Sequence, residues 1–123
     1  MKIVEIANNQ NNKMNFQHKD LAAGRWFEMS LMEQLGNIGS EVGRAINWKN
    51  KNNPQNSWKA FVRALELIDL TISDKKNLSR LKEIVRMREV LADFFVGNNL
   101  FKSSDILWQK YFQNFAYAAR KNR

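Results

Sequence analysis

The stretch that most constrains this chain is Ser57 to Ser73, SWKAFVRALELIDLTIS, its most apolar long run. On a helical wheel Trp58, Phe61, Val62, Leu65, Ile68 and Ile72 share one face, at the i, i+3, i+4, i+7 spacing of an amphipathic helix. Ala60, Ala64, Leu67 and Thr71 widen the apolar arc, leaving a narrow polar strip of Lys59, Arg63, Glu66 and Ser73. A helix apolar over so much of its surface must be covered by several neighbours or by another chain. Ser57 reads as its N-cap, and Pro54 ends whatever precedes it. Asp69 falls inside the apolar face, between Trp58 and Val62 in angle. A buried carboxylate there needs a partner or a proton, because an unpaired buried charge costs several kcal/mol.

Three more helices flank this one. The first runs from Leu31 to Lys49, opened by the S-x-x-E capping box Ser30 to Glu33. Leu31, Leu35, Ile38, Val42 and Ile46 form its apolar stripe, and Gly36, Gly39 and Gly43 form a second stripe beside it. Each interior glycine costs roughly 1 kcal/mol against alanine. Three on one side therefore mark a face of close helix packing, within the chain or across an oligomer interface. The third helix runs from near Asp74 to Val96 and stops at Gly97 and Asn98. Arg88 lies in the middle of its apolar arc, as Asp69 does on the preceding helix. Counted from a turn near Asp74, the two charges are offset by roughly 13 Å along the axes. They read as two separate buried-charge sites, and Arg44 or a residue of another chain is as good a partner for Asp69. The fourth helix runs from Asp105 to Arg120, capped by Ser103 or Ser104, with Trp108, Tyr111, Phe112, Phe115 and Ala119 inward.

The expected fold is all-α: an antiparallel up-down-up-down four-helix bundle over residues 25–123. Residues 1–24, with the polar run Asn8 to Asn15, read as a mostly flexible extension. A chain of 123 residues is one domain with room for a real core.

The formal charge is +8, from 20 Lys and Arg against 12 Asp and Glu. This points to a polyanionic partner such as RNA or DNA. The joint richness in Asn and Lys is also what biased codon composition produces. Lys75, Lys76, Arg80 and Lys82 make the first half of the third helix basic, and Arg120, Lys121 and Arg123 extend a basic surface at the C-terminal end. These seven are the candidate nucleic-acid contacts. Aromatics at helical spacing in the fourth helix read as core rather than as a base-stacking platform.

Other chemistry is scarce. There is no cysteine and one histidine, His18, which lies in the extension and reads as a solvated side chain. Most catalytic and transition-metal constellations need more than that. There is no glycine-rich phosphate loop and no Glu-x-x-His pair for a di-metal site. Glu66 and Asp69 are three apart, but the wheel points them to different faces. The expectation is therefore no enzyme activity, no cofactor, no metal and no small-molecule substrate. No apolar run approaches the roughly 18 residues of a membrane span, and MKIVEIANNQNN lacks a signal peptide's apolar region. A cytoplasmic protein is expected.

The segments EQLGNIGSEVGRAINWK at 33–49, FVRALELIDLTISD at 61–74, RLKEIVRMREVLADFFVGNN at 80–99 and WQKYFQNFAYAARKNR at 108–123 resemble a family of short bacterial helical-bundle proteins of unknown function. The resemblance implies a fold and no activity. At fold level the chain is also similar to the rRNA intervening-sequence protein, the accessory protein of diversity-generating retroelements, and HEPN domains. The first two imply a small, basic, self-associating protein that engages nucleic acid. HEPN ribonucleases carry an arginine and a histidine closely spaced on one helix, and this chain has no such motif. Two functions follow: a non-enzymatic binding or scaffold protein whose basic surface contacts nucleic acid, or a homo-oligomeric protein–protein adaptor with no nucleic-acid role.

Overall fold

The computed structural model describes residues 24–121, which fold into four α-helices joined by short turns and two 3-10 segments, with no strand among the described residues. The helices are α1 (Leu31–Asn50), α2 (Pro54–Ser73), α3 (Leu81–Val96) and α4 (Asp105–Lys121). The proposed flexible extension, including His18, lies outside the described residues except for Gly24, as does Arg123.

The capping box at the start of α1 forms as the sequence predicts. The Glu33 amide donates to Ser30 Oγ at 3.1 Å, and the Ser30 amide donates to Glu33 Oε1 at 3.3 Å. The start of α2 differs from the expectation. Asn53 is the cap, its Oδ1 accepting from the Asn56 amide at 3.0 Å, and Pro54 is the first helical residue. Proline has no N–H to lose at that position, so it opens the helix rather than closing what precedes it. Ser57 therefore sits within the helix, and its hydroxyl donates to the Ala45 carbonyl of α1 at 2.8 Å.

α1 makes its most extensive contacts with α2 and α4, and α2 packs more lightly on α3. The core holds Leu35, Ile38, Val42 and Ile46 of α1 with Phe61, Leu65 and Ile68 of α2; Ile84 and Leu91 of α3 and Trp108 and Phe112 of α4 close it. Trp26, in the 3-10 turn Trp26–Glu28, is 1% exposed and joins this core, although no helical periodicity reaches it.

A satisfied polar network fixes Trp26. Its indole N–H donates to Thr71 Oγ1 at 3.1 Å, and its carbonyl accepts from Gln34 Nε2 at 3.0 Å. Gln34 Nε2 also reaches Asp74 Oδ2 at 2.9 Å, and Asn77 Nδ2 donates to Gln34 Oε1 at 2.8 Å and to the Thr71 carbonyl at 3.1 Å. The buried polar groups of this network are tolerated because each finds a partner.

The segment after α2 corrects the sequence reading most sharply. Lys75–Arg80 is 3-10 helix, and α3 begins only at Leu81. Measured from the true helix ends, Asp69 and Arg88 are offset by only about 5 Å axially, within reach of an arginine side chain. They meet: Arg88 Nε donates to Asp69 Oδ1 at 2.8 Å. Neither is buried, with side chains 37% and 44% exposed for Arg88 and Asp69 respectively. Arg44 instead pairs with Glu41, its neighbour on the same helix.

Candidate nucleic-acid interface

The predicted basic residues separate into two groups. Lys76 contacts Asp74 and donates to the Phe27 carbonyl at 3.0 Å, and Arg80 pairs with Glu83 at 2.7 Å. Both cations are exposed, but each is paired within the chain. Lys75, Lys82, Arg120 and Lys121 are exposed, with no ion pair among the described residues. Lys75, Lys76 and Arg80 lie on the 3-10 segment and Lys82 on α3, so they do not all lie on one α-helix as expected. Burial pushes the Asp74 carboxyl up, but hydrogen bonds from Lys76 and Gln34 more than offset it and hold it below the usual carboxylate range.

The glycine stripe also divides. A Cβ at Gly39 would sit 2.5 Å from Phe112 Cβ, and one at Gly36 would touch the Ala116 backbone at 3.7 Å. The close approach is thus between α1 and α4 of one chain. A Cβ at Gly43 would meet nothing within 4 Å. Beside these glycines runs a cleft of about 320 Å³, with Ser40, Gln109 and Gln113 along it.

A second cleft, of about 450 Å³, opens where the α1–α2 turn meets the end of α3. Trp58, Phe61 and Phe95 form its aromatic wall, with ring centroids 5.7 Å apart for Trp58–Phe61 and 5.0 Å for Phe61–Phe95. Lys49 and Asn52 stand at the polar side. Lys49 Nζ lies 4.2 Å from the Phe94 ring centroid and 3.0 Å from Asp105 Oδ1. Lys51 Nζ lies 5.4 Å from the Trp48 ring centroid, with no ion pair among the described residues. The signal for this end of the molecule is visible in the sequence but easily overlooked. From residue 42 to residue 65 the chain carries Arg44, Lys49, Lys51, Lys59 and Arg63 and no acid.

A third cleft, of about 530 Å³, lies between α3 and α4 and is lined largely by apolar side chains, among them Met87, Val90, Leu107 and Tyr111. Leu107 is 58% exposed, and Arg86 lies 4.9 Å from the ring centroid of the exposed Phe101.

Glu66 departs from its place on the wheel's polar strip. It is buried, so the buried arc of α2 extends past the wheel's apolar face into the polar strip. No group among the described residues hydrogen-bonds its Oε2. Burial first, and the nearby Asp69 charge second, push its pKa up to about 7. Neither Glu66 nor Asp69 lines any of the three clefts. Among the described residues no group of three or more His, Asp or Glu side chains is placed to hold a metal ion. No helix among them is long and apolar enough to cross a membrane.

Comparison with protein-family models, with curated proteins and with solved structures finds no match to this chain.

Proposed function

We propose that this protein is a non-enzymatic binding protein whose basic surface contacts nucleic acid, carried on an up-down-up-down antiparallel bundle. The bundle reading is supported by contacts that run in opposite chain directions. Ala45 meets Ser57 while Gln34 meets Asp74, Phe61 meets Phe95 while Asp69 meets Arg88, and Lys49 meets Asp105 while Gly39 meets Phe112.

One observation carries the functional reading. Lys51, Lys59, Lys75, Lys82, Lys110 and Lys121 are all exposed and form no ion pair among the described residues. Internal pairing leaves these cations uncompensated, and a phosphate backbone compensates them by releasing its own counterions. Filter binding with RNA and with DNA at low ionic strength tests this. Retention is expected, with affinity falling about tenfold or more between roughly 50 and 200 mM salt. No retention of either at low salt overturns the reading.

A second reading, a homo-oligomeric adaptor, is favoured by a different surface from the one the glycines suggested. Gly36 and Gly39 are used against α4, whereas Leu100, Phe101, Ile106 and Leu107 leave apolar surface exposed near the start of α4. A second copy of the chain covering that face would remove it from water.

A further inference from the structure

We infer that the Trp58 cleft at the α1–α2 turn is the seat of one unstacked base of single-stranded RNA. This rests on the nucleic-acid reading above and assigns it a place and a strand type.

Three features converge there. The first is shape: a concave site of about 450 Å³ with Trp58, Phe61 and Phe95 on its wall. Trp58 and Phe95 are only partly buried, so aromatic surface remains for a base to lie against. Stacking needs only a π face on the ligand and is indifferent to which base supplies it. A paired base in a duplex has both faces covered by its neighbours, so the seat selects an unpaired strand.

The second is charge. No acid occurs between residues 42 and 65, and the first turn of α2 is likewise free of acids. Lys51 stands on the turn and Lys59 follows Trp58 directly; both are exposed and form no ion pair among the described residues. Lys49 is partly engaged by Asp105, but an ammonium has three donors. The helix N-terminus at Pro54 adds partial positive charge on the same side. Lys49 lines the cleft itself, and Lys51 and Lys59 lie beside it in sequence as further cations for the flanking phosphates.

The third is the run of amides. Asn47, Asn50, Asn52, Asn53, Gln55 and Asn56 crowd the turn. Asn50 already donates to Asp105 and Asn53 already accepts from the Asn56 amide, but Asn52 lines the cleft, and its amide offers both a donor and an acceptor, which suits a ribose 2′-hydroxyl, itself both donor and acceptor. This is why RNA is preferred here to DNA.

Fluorescence anisotropy of a labelled oligouridylate, titrated with the full chain at low salt, tests the assignment. Two further probes of equal length go alongside: an abasic ribose-phosphate strand and the deoxy oligomer. The abasic strand is expected to bind about tenfold more weakly than oligouridylate, the size of one lost stack, and the deoxy oligomer more weakly as well. Trp58→Leu should weaken oligouridylate about tenfold and leave the abasic strand unchanged, while Trp58→Phe keeps most of the affinity. Lys51→Gln with Lys59→Gln, on exposed side chains, should weaken all three probes and flatten the salt dependence. Equal affinity for oligouridylate and the abasic strand overturns the base seat, on the unmodified protein and whatever the folding of the Trp58 variants. A folded Trp58→Leu variant with undiminished oligouridylate affinity overturns it too. Equal affinity for the deoxy oligomer overturns the assignment to RNA. If the unmodified chain binds no probe, the nucleic-acid reading falls with it; if it binds all three alike, the base seat and the assignment to RNA fall while the nucleic-acid reading stands.

Discussion

Burial takes water away from Glu66 and supplies no hydrogen bond to its Oε2 among the described residues. The carboxyl responds by holding its proton, with a pKa of about 7 against an ordinary 4.5. Between those two values the folded chain keeps a proton that the unfolded chain has released. Stability from this group is therefore full below about pH 4.5, declines as pH rises towards 7, and is lost above it. Glu66→Gln should be close to neutral at pH 4.5 and stabilising by on the order of 1–2 kcal/mol at pH 8. Parallel thermal melts of the two proteins at both pH values check it; an equal difference at both would show that the carboxyl does not titrate in this window. Asp69, three residues on, is half-exposed and pairs with Arg88. Pairs of that kind contribute roughly 0–1 kcal/mol. What looked in the sequence like two stranded charges is a modest surface bridge, and the stranded charge is the glutamate assigned to the polar strip.

Between elements, the α1–α4 contact shows why a glycine stripe is not uniform. At Gly39 any side chain meets Phe112 Cβ and Cγ at 2.5 and 2.8 Å, so one of the two helices must move. Gly39→Ala should destabilise by roughly 1–2 kcal/mol, the overpacking cost less the helix-propensity gain. Gly43 has open space, and Gly43→Ala should stabilise by about 0.5–1 kcal/mol. Denaturant melts of the two variants must move in opposite directions for this account to stand. The existence and type of all four helices were legible from periodicity, and the capping box fixed the start of α1 at Leu31. The start of α2 was not, because proline both ends and begins helices, and only the Asn53 cap decides between them. The start of α3 is hidden in the sequence for a subtler reason. Lys75–Arg80 has a composition that an α-helix tolerates, but Asp74 and Asn77 are tied into the Gln34 and Thr71 network. Tertiary hydrogen bonds hold that segment in the tighter helix. The burial of Trp26 is likewise invisible in the local sequence, since it depends on Thr71 and Gln34, distant along the chain.

For the whole molecule, the polar and apolar surfaces divide the functional possibilities. The exposed lysines favour a phosphate backbone, and the Leu107 face favours a second copy. If the apolar face is used, Leu107→Glu should shift a dimer to a monomer at tens of micromolar by light scattering while leaving the melting temperature within a few degrees. A monomeric mass for the unmodified chain under those conditions would sink the adaptor reading. The basic surface was only half legible. The cations at 75–82 stood out as a run, yet Lys76 and Arg80 are engaged internally. The aromatic cleft arises from residues on three helices and leaves no local pattern beyond the acid-free interval from 42 to 65.

The segment Lys75–Arg80 has one more consequence, for how this chain tolerates changes in length. It acts as a spacer whose count of residues sets the rotation of α3 about its own axis. Removing or adding one residue in this 3-10 segment would turn the helix by about 120°. Ile84, Met87 and Leu91 would swing out of the core, and Arg88 would lose Asp69. The loop before α4 has no such gearing, because Asp93 and Asn99 tie it down locally through the amides of Leu100, Phe101 and Ser103. Insertions and deletions in related chains should therefore gather after Gly97 and spare 75–80, a metric constraint that composition does not display.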